Sequence, residues 1–425
     1  MPSAFLRRPL PPLAVCLAAL LGFIPAAAVA DDLDDWLTNQ AGFTGGWGGW
    51  RQTLQDRGIT PSASYTAEIA GNPTGGQQQG FRYAHEIDFG ADFDLDTLVG
   101  LPGTTVAVTF EENAGRSLSH DKIGNIFVVQ EIFDGAPAFR LAELSVEQSL
   151  FDKHLELKAG RIAAGDDFAM IDVFGNVQNA AFNSNPAVLG DNSGFTTAPI
   201  PSWGGRAKVK LHEWYLEAGA YEVNPTLVKP GNGFKFSTSG ATGVIVPAEI
   251  GWNPSDAIFG LPGEYRFGGY YDSSNVDDVT GSPIRTGRWG LYLLGQQQIY
   301  AEATGSDRGL ALFAGVVFGD AHTAEIQWFV EAGLVYQGTF PGRDQDTVNL
   351  GFAYGHINGR LIDAEKDAGG SEVVQSAESI VELNYGAQVT PWFTLRPGLQ
   401  LVIHPDADSS TPTAVVLGVQ SALQF

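Results

Sequence analysis

The sequence predicts an all-β protein: a transmembrane antiparallel β-barrel of about 16 strands, with short periplasmic turns, long extracellular loops and a short N-terminal helix. Three observations predict it. Strands with one apolar and one polar face recur along the chain, some longer than the usual soluble strand of about 5–6 residues. Short and long connections alternate between them. The last segment, "AVVLGVQSALQF", is itself a period-two strand with no polar tail, so its hydrogen-bonding edge needs a partner. A closed barrel supplies that partner in the first strand.

The elements follow in chain order. Arg7 and Arg8, the apolar run Leu13–Ile24 and the small residues Ala28 and Ala30 read as a secretory signal, residues 1–30, with Asp31 as the new N-terminus. The run is shorter than the roughly 20 residues of a spanning helix. A lipoprotein reading through Cys16 is disfavoured by Val15. Cys16 is the only cysteine, so the exported chain has neither disulfides nor cysteine-ligated metal. Residues 31–58 are expected to form a periplasmic segment with a short helix around Trp50 and Leu54 that stops at Gly58. Residues 59–425 are the barrel, a single domain.

"FRYAHEIDFGADFDLD" is the clearest strand. Tyr83, His85, Ile87, Phe89 and Phe93 share one face; Arg82, Glu86, Asp88 and Asp92 share the other. It reaches the roughly 9–11 residues of a tilted membrane strand. Glu86 and Asp88 are therefore expected to line the lumen. "TTVAVTF", "LAELSVEQ", "LELKAGRI", "RAKVKLHEWYLEAGAYEV" and "VELNYGAQVTPWFTLRPGLQL" continue the pattern through tight turns. The long connections fall at roughly 112–139, 163–204, 224–263 and 361–377. Aromatics near strand ends, among them Tyr300, Trp392, Phe393 and Phe425, suit interfacial girdles. After the leader, no apolar run approaches the length of a membrane helix.

Charge and motifs narrow the function. The formal charge of −24 becomes −26 once a leader with two arginines and no acids is removed. Nucleic acid is excluded as a partner, because phosphate contacts need clustered Lys and Arg. Cations are favoured. With 44% hydrophobic residues, disorder is excluded as well. The chain has no Walker loop, no HExxH and no G-x-S-x-G element, so neither an ATPase, a zincin nor a hydrolase pattern is present. "DSSNVDD" and "HPDADSS" offer several oxygens but not an EF-hand, and they read as acidic loops with at most a weak calcium site.

The chain also resembles the OprB-type carbohydrate-selective porins over nearly all of its exported length. The resemblance rests on "GWGGWRQTLQDRGI", "GNPTGG", "LELKAGRIAAGDDF", the stretch Trp203–Arg206, "AGAYEVNP", "PGEYRFGGYYDSS", "GLVYQGTFPGRDQD" and "PWFTLRPGLQLVIHPDA", in that order. It implies an outer-membrane channel reached by Sec-type export, passive diffusion of glucose and similar sugars without ATP or cofactor, inward-folded loops, and a homotrimer in outer-membrane lipid. Carboxylates accept from sugar hydroxyls, guanidinium donates a planar fork, and aromatic faces cover C–H patches.

On that basis Lys158, Arg161, Asp166, Asp167, Trp203 and Arg206, which flank the 163–204 connection, are the expected constriction residues, with Glu86 and Asp88 on the wall. Plainer roles stand beside these: an Arg161 wall ion pair with Glu156 or Glu147, Asp166 and Asp167 as solvated or calcium-binding carboxylates, Trp203 as an interface anchor, and Arg343 with Asp344 as a rim salt bridge. The competing functions are a general cation-leaning porin without a sugar site, and a barrel enzyme or adhesin.

Overall fold

The fold is described by a computed structural model that covers residue 37 and residues 40–425, except 183, 304, 307 and 369–375. The signal assigned to residues 1–30 lies outside the described residues.

Sixteen strands form a closed antiparallel barrel in which each pairs with its neighbours in sequence. The first eight are β1 (Ile59–Thr74), β2 (Gly80–Asp94), β3 (Thr104–Gly115), β4 (Ala138–Leu150), β5 (Leu155–Ile162), β6 (Ser202–Leu211), β7 (Trp214–Val223) and β8 (Gly243–Trp252). The rest are β9 (Gly263–Asp277), β10 (Ile284–Ala301), β11 (Gly309–Gly319), β12 (Ile326–Gln337), β13 (Thr347–Ile357), β14 (Ala377–Thr390), β15 (Phe393–Ile403) and β16 (Ala414–Gln424). The long connection read over 224–263 is in fact interrupted by β8. Pro247 obscures that strand in the sequence, since proline cannot donate to a ladder, yet Val244, Val246 and Ile250 alternate outward as a strand requires.

Closure runs through β1 and β16, in register from Ser64 opposite Gln424 to Ala70 opposite Gly418. The Phe425 amide donates to the Ala63 carbonyl at 3.0 Å, and the Phe43 amide to the Gln424 carbonyl at 2.8 Å. Phe43 meets Phe425 and the buried Trp392 edge-on at 5.7 and 5.2 Å. The helix α1 (Trp50–Asp56) sits beside this seam, and its Arg51 guanidinium donates to the Phe425 carbonyl.

Parity sorts the side chains. Ile69, Phe89, Leu216, Ile250, Phe267, Leu293, Leu350 and Leu417 are exposed on the outward face, where lipid covers them. Trp214, Trp252 and Tyr265 stack at 5.4 and 5.2 Å on the short-turn rim. Trp328 and Tyr354 meet at 5.2 Å on the opposite rim.

The interior core is built by loops. The connections 116–137 (β3 to β4) and 163–201 (β5 to β6) turn inward and bury Leu118, Phe127, Phe168, Phe174, Phe182 and Leu189. Phe127 packs on Phe329 of β12 at 5.4 Å and Phe174 on Phe313 of β11 at 6.0 Å. Inward-facing carboxylates of the wall receive their backbone donors. Glu378 accepts from the amides of Ile126 and Phe127, each at 2.8 Å, and Glu382 from Gln178 and Asn179, each at 2.8 Å. Glu249 accepts from Ala169 at 2.9 Å and Asp272 from Gly194 at 2.9 Å. Each amide so paired avoids a penalty of about 1–3 kcal/mol for a buried unpaired donor.

On the long-loop rim Asp278 gathers three connections. It accepts from the Thr280 amide at 3.1 Å, pairs with Arg285 at 2.7 Å and His322 at 3.1 Å, and meets Arg360 at 3.4 Å. The Thr280 amide, Arg285 and His322 hold its carboxyl well below the usual carboxylate range. A depressed carboxyl stabilises the fold above its unfolded pKa of about 3.9, and the contribution fades as pH falls through the folded value. Asp278→Asn is expected to lower the thermal midpoint of the detergent-folded protein at pH 7. The gap to wild type should narrow steadily when the melts are repeated from pH 4 downward.

Candidate functional site

Lys158 on β5 and Arg206 on β6 are direct cross-strand partners on the inner face. The 163–201 loop leaves β5 just above them and brings Asp167 down between them. Arg206 Nε donates to Asp167 Oδ1 at 2.9 Å, and its Nη2 to Glu147 Oε2 at 3.1 Å. Lys158 Nζ lies 3.1 Å from Glu143 Oε1 and 3.9 Å from Asp167 Oδ2. Lower on the same face Lys208 pairs with Glu217 at 3.3 Å and Lys210 with Glu156 at 2.5 Å. The 3₁₀ turn Ala164–Asp166 holds Asp166 open to the lumen beside this cluster, with the Ala163 amide 3.4 Å from Asp166 Oδ2.

The arrangement alternates ammonium or guanidinium donors with carboxylate acceptors on one wall. That is the complement of a polyhydroxyl solute, whose every hydroxyl both donates and accepts. The side chains of Glu143 and Glu147 are 22% and 31% exposed, so the acceptors remain reachable from the lumen even while paired.

Of the residues expected at the constriction, Lys158, Asp166, Asp167 and Arg206 come together here. Arg161 and Trp203 do not, and the expectation that they line the pore is corrected. The register pairs Arg161 with outward-facing Leu144 and with Trp203, so both side chains lie on the opposite face of the sheet from Lys158 and Arg206. A piece of the 224–242 connection covers them from outside. Arg161 donates to the Lys235 carbonyl and, at 3.0 Å, to the Pro201 carbonyl; its guanidinium stands 5.4 Å from the Phe236 ring. Trp203 Nε1 donates to the Phe236 carbonyl at 2.8 Å. Arg161 is thus a buried staple of the outer wall, and it pairs with neither Glu156 nor Glu147.

Glu86 and Asp88 stand on the inner face of β2, beside Glu111 of β3 and apart from the Lys158–Arg206 ion pairs. Arg343 pairs with Asp346 at 2.7 Å, and Asp344 with Arg308 at 2.9 Å, so both belong to rim contacts.

The acceptors Glu143, Glu147, Glu156 and Glu217 completing the cluster are absent from the expected set. Parity could have found them: Lys158 and Arg161 are three apart, as are Trp203 and Arg206, and one strand cannot turn both members of such a pair inward.

The family model of the carbohydrate-selective porins, OprB family, matches residues 78–425. The chain belongs to that family. This porin is 32% identical to Porin B of Pseudomonas aeruginosa over 96% of its own length and 97% of the relative's. It is 30% identical to the putative porin QuiX of Acinetobacter baylyi over 95% and 99%. A high-pH structure of Pseudomonas putida OprB superposes with a TM-score of 0.86 at 32% identity, covering 91% of this chain and 99% of that one. OmpF of Salmonella typhi shares only the fold, at a TM-score of 0.53 and 11% identity. The porin is therefore a sugar-selective outer-membrane channel.

Two substitutions separate the faces of its wall. Arg206→Met leaves Asp167, Glu147 and Glu217 without their shared cation, and reversal potentials in a salt gradient should shift toward stronger cation preference. Arg161→Ala removes the outer staple instead. It should destabilise the fold by roughly 1–3 kcal/mol, read as a lower denaturation midpoint, with sugar block of the current unchanged.

Proposed function

We infer that sugars cross this porin by exchanging hydrogen bonds with Lys158, Glu143, Glu147, Arg206 and the loop carboxylates Asp166 and Asp167. The observation that carries the reading is the alternation of charged donors and acceptors on the inner face of β4 to β6, closed over by the 163–201 loop. Transit requires association weak enough to be reversed within the pore, and each contact of this kind contributes only about 0.5–1.5 kcal/mol net. No bond is made or broken in transit, so the reading includes neither a catalytic group nor a cofactor.

A homotrimer belongs to the same proposal. The apolar outward face of β7 to β11, with Leu216, Ile250, Phe267, Leu293 and Leu312 exposed, can be covered by a second copy as well as by lipid. Light scattering of the detergent complex distinguishes one chain from three.

The reading is tested in planar bilayers. Glucose and short oligosaccharides are expected to reduce the ion current in a saturable way. Lys158→Ala and Glu147→Gln should each weaken that block by about 2–10-fold, the equivalent of losing one such hydrogen bond. Identical block in wild type and both variants would remove these residues from the sugar path. Free passage of ions with no block by any sugar would favour a general cation-leaning pore.

A further inference from the structure

We propose that Asn185 is a positioning residue of the sugar path: its side-chain amide fixes the turn that carries Asp166 and Asp167 into the lumen. The proposal rests on the reading that sugars exchange hydrogen bonds with those two carboxylates. Asn185 lies later in the same 163–201 loop and is only 4% exposed. Its Nδ2 donates to the carbonyls of Phe168 at 2.8 Å, Gly165 at 3.1 Å and Ala169 at 3.3 Å. These carbonyls bracket Asp166 and Asp167, one before the pair and two after it. One amide, with its two N–H donors, thus ties both ends of the turn together.

The backbone would not hold that shape unaided. Ala169 sits at φ 59°, in the left-handed region that an L-residue with a Cβ disfavours. Such strain persists only where the surroundings over-determine it, and Ala169 is held from both sides. Asn185 donates to its carbonyl, and Glu249 of β8 accepts from its amide at 2.9 Å. Glu249 is fixed in turn by the hydroxyls of Tyr215 and Tyr292, the latter at 2.7 Å. Gly165 fits the same device. A Cβ there would fall 2.4 Å from Asn185 Oδ1 and 3.0 Å from Thr197 Cγ2, so the amide can approach only a glycine. Thr196 completes the grip: its carbonyl accepts from the Gly165 amide at 2.8 Å, and its hydroxyl lies 3.3 Å from the Ala164 amide.

The result is a pair of carboxylates displayed from a buried frame. Ala163, Ala164, Phe168 and Ala169 are enclosed, while Asp166 is exposed to the lumen. Asp167 has a second source of orientation in Arg206, at 2.9 Å. Asp166 has no cation within 4.0 Å among the described residues. Its carboxylate is aimed by the backbone of the turn, with the Ala163 amide 3.4 Å from its Oδ2. Where Asp166 stands in the pore therefore depends on the frame, and the frame is closed by Asn185. A carboxylate displaced by about 1 Å leaves the range of about 2.5–3.0 Å in which it can accept from a hydroxyl.

The test uses the full chain, folded in detergent and reconstituted in planar bilayers, with glucose as the probe. Folding of each variant is checked by heat-shifted gel mobility. Asn185→Ala removes the three bonds and touches no barrel strand. It should raise the glucose concentration for half-block by about 2–10-fold. Gly165→Ala, which drives a methyl group into the amide, should do the same and serves where Asn185→Ala does not fold. Asn232→Ala removes a side-chain bond to the Thr226 carbonyl in the outer 224–242 loop, and it should block as wild type does. The readout that separates positioning from plain loop stability is non-additivity. In a chain that already carries Asp166→Ala and Asp167→Ala, Asn185→Ala should change the block no further. Wild-type block in folded Asn185→Ala and Gly165→Ala overturns the positioning role, as does an equal loss in Asn232→Ala or in the doubly substituted chain. Wild-type block in the Asp166→Ala, Asp167→Ala chain alone is a different failure: it takes the two carboxylates, and the proposal with them, out of the sugar path.

Discussion

Everything in this structure depends on the backbone hydrogen bonds between β1 and β16. In hydrocarbon an unpaired amide or carbonyl has no water to turn to, so a sheet can cross a bilayer only if it has no edge. Fifteen antiparallel ladders would leave two edges of ten or so residues each; the sixteenth removes both. This explains why the ends of the barrel are so heavily secured. The amides of Phe43 and Phe425, the guanidinium of Arg51 and the rings of Phe43, Phe425 and Trp392 converge on one seam. It also explains how an exported chain holds together without a disulfide.

Closure creates a second problem, because it encloses a polar-walled space that two long loops then enter. Loop backbone carries donors that no ladder satisfies. The wall solves this with Glu249, Asp272, Glu378 and Glu382, set on β8, β9 and β14 and each aimed at one to three loop amides. The apolar loop residues then pack on Phe313 and Phe329. Part of the negative charge of the chain is therefore architectural. Counting acids in the sequence overstates how many face the solute.

The barrel was legible in the sequence because its signal is periodic and repeated. Alternation in the Phe81–Asp94 run, tight turns such as His212–Glu213 and the bare final strand all report one constraint many times over. Individual site residues are not repeated, and proximity to a loop was a poor substitute for parity. Arg161 and Lys158 flank the same connection, yet the wall lies between their side chains. Nor does sequence show which charges neutralise one another. Glu147 and Arg206 are 59 residues apart and meet only because β4 to β6 are neighbours. β8 was hidden for a local reason, a proline in mid-strand.

The lumen that results is uneven, and the unevenness bears on how a channel can be selective and still fast. On the inner face of β5 and β6, Lys158, Arg206, Lys208 and Lys210 each have a carboxylate within about hydrogen-bonding distance, so a passing hydroxyl competes with a partner already in place. Such a contact is specific in geometry and small in net energy, which keeps residence short. An unpaired arginine in the same position would hold an anion or a carboxylate too well. On β2 and β3 the carboxylates of Glu86, Asp88 and Glu111 lie together with no ion pair among the described residues, and whatever negative charge they carry sets a field at the lumenal wall. A neutral sugar is indifferent to the sign of that field, whereas a small anion is repelled. Selection between them thus needs no tight site, only a wall whose two sides differ in how completely their charges are paired.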